Sequence, residues 1–294
     1  MRKAKKSLGQ NFLKSEIVIR KIIEAGEIKE NDVILEIGPG RGALTEKLLA
    51  TSCQLIAVEK DHNLYELLKS KLKEEISSGQ LKLIHDDILK FNIQKARQDV
   101  VEKSIAQADE PSIAISQQGN MHGFRDNILP SFKSYKIIAN IPYNITGAIL
   151  KKFLTEKNQP ENMILMVQHE VAKKILACDN KESILSISVK AYGEPRMIAK
   201  VDKKYFSPTP KVNSAIIAIK NISRKIFKEN KINEEKLWKI VKAGFAHKRK
   251  KLSSNLKNLC RRDTLEFLGN KMAEDLTLSD WIELTKETNP PQNR

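Results

Sequence analysis

The chain has 294 residues, enough for one large domain or two unequal ones, and its 52 Lys and Arg against 36 Asp and Glu leave a net charge of +16. That excess predicts a polyanionic partner, nucleic acid ahead of a membrane surface, because Lys and Arg neutralise phosphates and release counterions, whereas membrane binding would also want an amphipathic basic helix or a lipid anchor. The basic start Met1 to Ser7 lacks the apolar core of a secretory signal, no stretch approaches the roughly 18 apolar residues of a membrane span, and Cys53, Cys178 and Cys260 are odd in number and scattered, which argues against a disulfide framework and for a reducing cytosol. His62, His85, His122, His169 and His247 show no metal-ligand spacing, so no metal is expected.

Strand-like runs at Val33 to Gly38, Leu55 to Glu59, Leu81 to Asp87, Lys136 to Ile141 and Met163 to Gln168 alternate with helical patterns. This alternation predicts an α/β fold with a parallel sheet and crossover helices on both faces. Glu36-Ile37-Gly38-Pro39-Gly40-Arg41-Gly42 closes the first strand and opens a helix near Ala43. Its glycines let the backbone turn sharply and approach a bound cofactor. Glu59, ending the next strand, suits the two hydroxyls of a ribose, so the pair points to a nucleoside-bearing cofactor. The Gly-x-Gly-x-Gly spacing is not the Gly-x-Gly-x-x-Gly that seats a pyrophosphate. With Glu36 leading, and Asp86 and Asp87 ending the third strand where a carboxylate can take an adenine amino group, the pocket disfavours pyrophosphate and tolerates a cationic sulfonium. Solvated turn acids are the plain alternative for Asp86 and Asp87.

From about 92 to 134 the chain is rich in Gln and small residues and reads as an insertion, with a helix over Gln94 to Ala106 and a disordered loop over Pro111 to Pro130. Next comes Asn140-Ile141-Pro142-Tyr143, at the end of the fourth strand. Asn140 offers a carbonyl oxygen, the chain around Pro142 backbone acceptors, and Tyr143 a ring to stack on, which suits a planar nucleobase amine. Two further runs, Arg196 to Val201 and Ala215 to Lys220, are joined by the loop Tyr205-Phe206-Ser207-Pro208-Thr209-Pro210. No crossover helix fits between them, so they should pair antiparallel at one edge, making the sheet mixed and seven-stranded. Beyond Ile222 only helices are predicted, at Glu234 to Ala246, Lys250 to Cys260, Asp263 to Leu268 and Ser279 to Thr285. This gives a 1–221 domain and a small all-α domain over 222–294. The latter holds 17 Lys and Arg against 10 Asp and Glu, and its run His247-Lys248-Arg249-Lys250-Lys251 is either a solvated face or a phosphate contact.

The ordered set Gly9-Gln10-Asn11-Phe12-Leu13, Glu36 to Gly42, Glu59, Asp87, Asn140 to Tyr143 and Phe206 to Ser214 resembles the ribosomal RNA adenine dimethyltransferases, over nearly the whole chain and nearest to their bacterial small-subunit type. The resemblance implies a Rossmann-like S-adenosylmethionine-dependent methyltransferase fold. It also implies a monomeric cytoplasmic enzyme that dimethylates N6 of two neighbouring adenines in a hairpin near the 3′ end of 16S ribosomal RNA, within the small subunit. It places Asn11 and Leu13 near the methionine part of the cofactor, Gly38 along its backbone path, Glu59 on the ribose, Asp87 on the adenine and Asn140 between cofactor and target. It implies that Tyr143 and Phe206 sandwich the flipped adenine, with Pro142 stiffening the strand tip; beside it, the charge run Lys248, Arg249, Lys250 and Lys251 stays a candidate contact for RNA backbone or a solvated face. The 92–134 insertion departs from the family's expected length and puts surface contacts at that edge in doubt.

Other readings remain beside it: a DNA adenine methyltransferase, disfavoured by Asn-Ile-Pro-Tyr in place of an Asp-Pro-Pro-Tyr type sequence; the large-subunit 23S methylase that confers antibiotic resistance; a ribosome assembly factor whose binding outweighs catalysis; and a dehydrogenase, the default for a Gly-rich turn.

Overall fold

Residues 10–30, 32–94, 96 and 134–288 are described by the structure, a computed structural model. The strands are β1 (Phe12–Leu13), β2 (Val33–Ile37), β3 (Gln54–Glu59), β4 (Leu81–His85), β5 (Lys136–Asn140), β6 (Asn162–Gln168), β7 (Glu194–Val201), β8 (Phe206–Ser207) and β9 (Ser214–Lys220). The helices are α1 (Glu16–Gly26), α2 (Ala43–Leu49), α3 (His62–Lys71), α4 (Lys73–Ser77), α5 (Thr146–Thr155), α6 (His169–Leu176), α7 (Ile184–Lys190), α8 (Lys225–Glu229), α9 (Glu234–Gly244), α10 (Leu252–Leu256), α11 (Arg262–Leu268) and α12 (Leu278–Glu287).

The main sheet has seven strands in the order β4-β3-β2-β5-β6-β9-β7. Pairs β3/β4, β2/β3, β2/β5 and β5/β6 are parallel. Every residue of β2 is buried, which is why it reads as a continuous apolar run around Glu36 and not as an alternation. By contrast β7, at the edge, alternates exposed and half-buried positions until Val201, and it neighbours β9 as the short connection between them requires. In α1, Ser15 caps the first turn by accepting from the Val18 N–H, and Val18, Ile19 and Ile22 supply the buried face.

Sequence reasoning did not anticipate a second sheet of two strands, in which β1 pairs antiparallel with β8 so that Phe12 faces Ser207 and Leu13 faces Phe206. The expected 92–134 insertion, with its helix and its loop, lies outside the described residues apart from 92–94, 96 and 134.

The described residues form two compact units, one running to His169 and taking in Met197–Ala218, the other comprising Glu170–Arg196 with Ile219 onward. The units therefore do not divide at 221/222. Packing within the second explains this: Tyr192 Oη donates to Glu234 Oε1 at 2.5 Å and accepts from Trp238 Nε1 at 3.1 Å, and the Glu182 N–H donates to the Glu274 carbonyl at 2.8 Å. In that unit α9 is capped by Asn233 and buries Leu237, Ile240 and Val241, while α12 is capped by Thr277 and buries Trp281. A Cβ on Gly244 would lie 2.3 Å from the Trp281 ring, so the helices meet where there is no side chain.

Candidate active site

The C-terminal ends of parallel strands are where open α/β sheets place their ligand crevices. Here one cleft is lined by Asn11, Leu13, Glu36, Gly38, Glu59, Asp87, Asn140, Pro142 and Tyr143. Residues far apart in the chain thus share one wall.

The turn after β2 is held by backbone. Gly38 donates its N–H to the Val58 carbonyl at 2.9 Å, and Gly38, Gly40 and Gly42 have φ of 65°, 63° and 86°, a region that side-chain-bearing residues rarely adopt. At Gly40 a Cβ would also come within 3.0 Å of the Phe12 ring, so this glycine lets the N-terminal segment lie against the turn. Arg41 covers the same ring, with its guanidinium carbon 4.6 Å from the ring centroid.

The acids of the cleft differ in environment. Glu59, 5% exposed, accepts from the Gly40 N–H at 3.0 Å and the Asp61 N–H at 2.8 Å. Burial raises its pKa and these two donors oppose the rise. Asp87 is held below its ordinary value chiefly by the Lys60 ammonium at 2.8 Å, helped by the Leu89 N–H at 3.0 Å. Glu36, 1% exposed, is pushed up to about 8 by burial. The nearby Thr45 hydroxyl lowers it somewhat without reaching hydrogen-bond geometry, and Glu36 Oε2 is a buried oxygen with no partner among the described residues.

At the other wall, the Asn140 side-chain nitrogen donates to the Asn11 carbonyl at 3.1 Å. That bond orients the amide and leaves the carbonyl oxygen as its acceptor end. Pro142, in an extended conformation, precedes a 3-10 turn over Tyr143–Ile145, and its carbonyl accepts from the Ile145 N–H at 3.3 Å. Tyr143 is half-buried, its phenol 2.5 Å from the Ser214 hydroxyl; burial raises its pKa and Ser214 moderates that.

Phe206 is not brought to this cleft. It is fully buried beside Leu13 in the core cluster, because the β1/β8 pairing sets those two residues opposite each other. The expectation that its ring faces a base alongside Tyr143 is corrected on this point. From the motif that Phe206 opens, the Ser214 hydroxyl meets the Tyr143 phenol, and the Asn213 side-chain oxygen accepts from the Lys203 N–H at 3.1 Å. Sequence reasoning also passed over Gln10, whose amide donates to Asp61 at 3.1 Å, and Lys60. Gln10 stood inside a quoted motif, but nothing in the order of residues links it to Asp61.

Lys248, Arg249, Lys250 and Lys251 belong to the second unit and are all exposed, in the turn between α9 and α10. Asn255 braces that turn by donating to the Gly244 and His247 carbonyls at 2.6 and 3.2 Å.

A family model described as ribosomal RNA adenine dimethylase matches residues 1–289. The chain is 36% identical to ribosomal RNA small subunit methyltransferase A of Dehalococcoides mccartyi (strain CBDB1), covering 97% of this chain and 88% of that one. It is 33% identical to the protein of the same name in Fusobacterium nucleatum, covering 97% of both. Among solved structures, its fold is like that of the 23S rRNA methyltransferase ErmE (TM-score 0.68, 22% identity, 94% of this chain and 99% of that one). It is also like that of a dimethyladenosine transferase from Plasmodium falciparum (TM-score 0.67, 22% identity, with the same coverage).

Proposed function

The chain belongs to the ribosomal RNA adenine dimethylase family, and from that premise we propose that it methylates N6 of two adjacent adenines in the 3′-terminal hairpin of 16S ribosomal RNA, yielding N6,N6-dimethyladenines during small-subunit biogenesis. It is an S-adenosylmethionine-dependent enzyme of ribosomal RNA, acting in this proposal as a cytoplasmic monomer. The observation that carries the reading is the convergence of Glu36, Glu59, Asp87 and Asn140 to Tyr143 on one cleft.

The residues fit the cofactor. Glu59 keeps lone pairs for ribose hydroxyls while its two backbone donors hold it in place, and Asp87, kept ionised by Lys60, suits an adenine amino group. The unpartnered Glu36 oxygen suits a positive charge, which would draw that group back to its ionised form. When bound, S-adenosylmethionine supplies an electrophilic methyl on a sulfonium and departs as S-adenosylhomocysteine.

The chain's own task is to make an aniline-like amine nucleophilic. The Asn140 oxygen, aimed by the Asn11 bond, and the Pro142 carbonyl, which keeps a second lone pair, accept from the two N–H groups and favour a pyramidal nitrogen. Tyr143 offers the face on which the extruded base stacks. Phe206 supports the wall from inside the core. A titrating base is not required, because the alkylated amine loses its proton readily to water. The helical segment from Ile222, with Lys248 to Lys251, holds RNA backbone in this proposal.

Incubation with unmethylated small subunits, followed by mass spectrometry of the terminal 16S fragment, tests the proposal. Two dimethylated adenines are expected. With large subunits offered in a parallel incubation, methyl groups appearing on 23S RNA in place of 16S RNA, or on neither RNA, would overturn it.

A further inference from the structure

Ser214, at the first position of β9, is fully buried in front of the apolar run Ala215 to Ile219. A buried hydroxyl must find a partner, and this one meets the Tyr143 phenol, 71 positions earlier, at 2.5 Å. The anchor is stiff, because the preceding residue is pinned twice: the Asn213 backbone carbonyl accepts from the His169 N–H at 3.0 Å and its side chain from the Lys203 N–H. Tyr143, by contrast, rises from a short 3-10 turn and is half-buried. Its ring is tethered near the backbone by Cβ and at the far end by Ser214.

We infer that Ser214 is a positioning residue that sets the width of the base pocket through the Tyr143 ring, and thereby governs the second methyl transfer more than the first. The inference rests on the stacking role proposed for Tyr143. In the second transfer the lone pair of the monomethylated nitrogen bonds to the sulfonium methyl carbon, the carbon–sulfur bond breaks with its electrons going to sulfur, and the remaining N–H proton passes to water. The nitrogen must first turn past its own methyl group, so the second step needs space that the first does not. A ring freed at its hydroxyl end can lean into that space.

Ser214→Ala and Tyr143→Phe, alone and together, compared with wild type on unmethylated small subunits, test this by the time course of N6-methyladenine and N6,N6-dimethyladenine. Both transfers slow, with the second slowed about tenfold more than the first, so the monomethylated product accumulates; the double variant is no worse than either single one, because the same hydrogen bond is removed in all three. Tyr143→Phe leaves Ser214 in place and carries the same expectation should Ser214→Ala not fold. A product ratio equal to wild type in the folded variants, or effects that multiply in the double variant, would overturn the inference while leaving the reading of the site standing. Absence of dimethyladenine from the wild-type reaction would instead fault that reading, and the inference would fall with it.

Discussion

The cleft and the basic turn after α9 handle charge in opposite ways. In the cleft Glu36 and Glu59 are 1% and 5% exposed, and two backbone N–H groups hold the Glu59 carboxylate. In the turn, Lys248 to Lys251 all stand in solvent, and what is braced there is the backbone, by Asn255. The first arrangement suits a small ligand held through fixed single contacts in a low dielectric, where each group counts heavily. The second suits a polyanion, where cations act in numbers and salt screens each of them. Substitutions in the cleft should therefore act steeply and one at a time, and those in the turn weakly and together.

The steepest effects should come from the core beneath the cleft wall. Phe206→Ala should cost about 3 to 5 kcal/mol of stability, the usual penalty for deleting a buried aromatic ring, as read by denaturant unfolding. If stability holds while capture of RNA is abolished, the ring faces the base after all. Glu36→Gln tests the buried acid through pH. Since the native pKa is near 8 and the ordinary value is 4.5, both states hold the proton below about pH 4.5, and the native state loses stability as pH rises from there to about 8. The gap between wild-type and Gln stabilities, without cofactor, should change over that window by on the order of 5 kcal/mol. Parallel curves would mean that Glu36 is ionised in the free protein.

Asn140→Ala should still bind S-adenosylmethionine in a calorimetric titration yet transfer methyl groups about 10² to 10³ times more slowly. Full activity would remove the acceptor role. The smallest effect per residue belongs to the turn: reversing charge at Lys248, Arg249 and Lys250 should weaken RNA binding and flatten its salt dependence, by roughly 0.7 to 0.9 in log–log slope for each phosphate that is no longer neutralised. A slope that does not move would make the run a solvated face and end the comparison.

Much of this could be read from residue order because its signals are local. A buried parallel strand announces itself as an apolar run, a glycine turn by the positive φ that other residues avoid, and a helix by its cap and periodic face. Lys136 to Asn140 and Glu36 to Gly42 were recognisable for those reasons, Glu59 and Asp87 by their places at the ends of the next two strands, and the family resemblance chose Asp87 over its neighbour Asp86. The β1/β8 pair was not legible, since two strands of two residues carry no periodicity. Nor was the grouping of Glu170–Arg196 with the C-terminal helices, which depends on Tyr192 meeting Glu234 and Trp238 more than forty residues away.

The order of residues alone determined the α/β class, the glycine turn after the first parallel strand, the Asn-Ile-Pro-Tyr strand end and the basic C-terminal helices, because each is written in neighbours a few positions apart. Tertiary structure decided which way the Asn140 amide points, which of two aromatic rings faces the cleft, and what Ser214 holds. Those depend on contacts between segments 71 to 193 residues apart, whose geometry is set by packing and hydrogen-bond satisfaction in the folded chain.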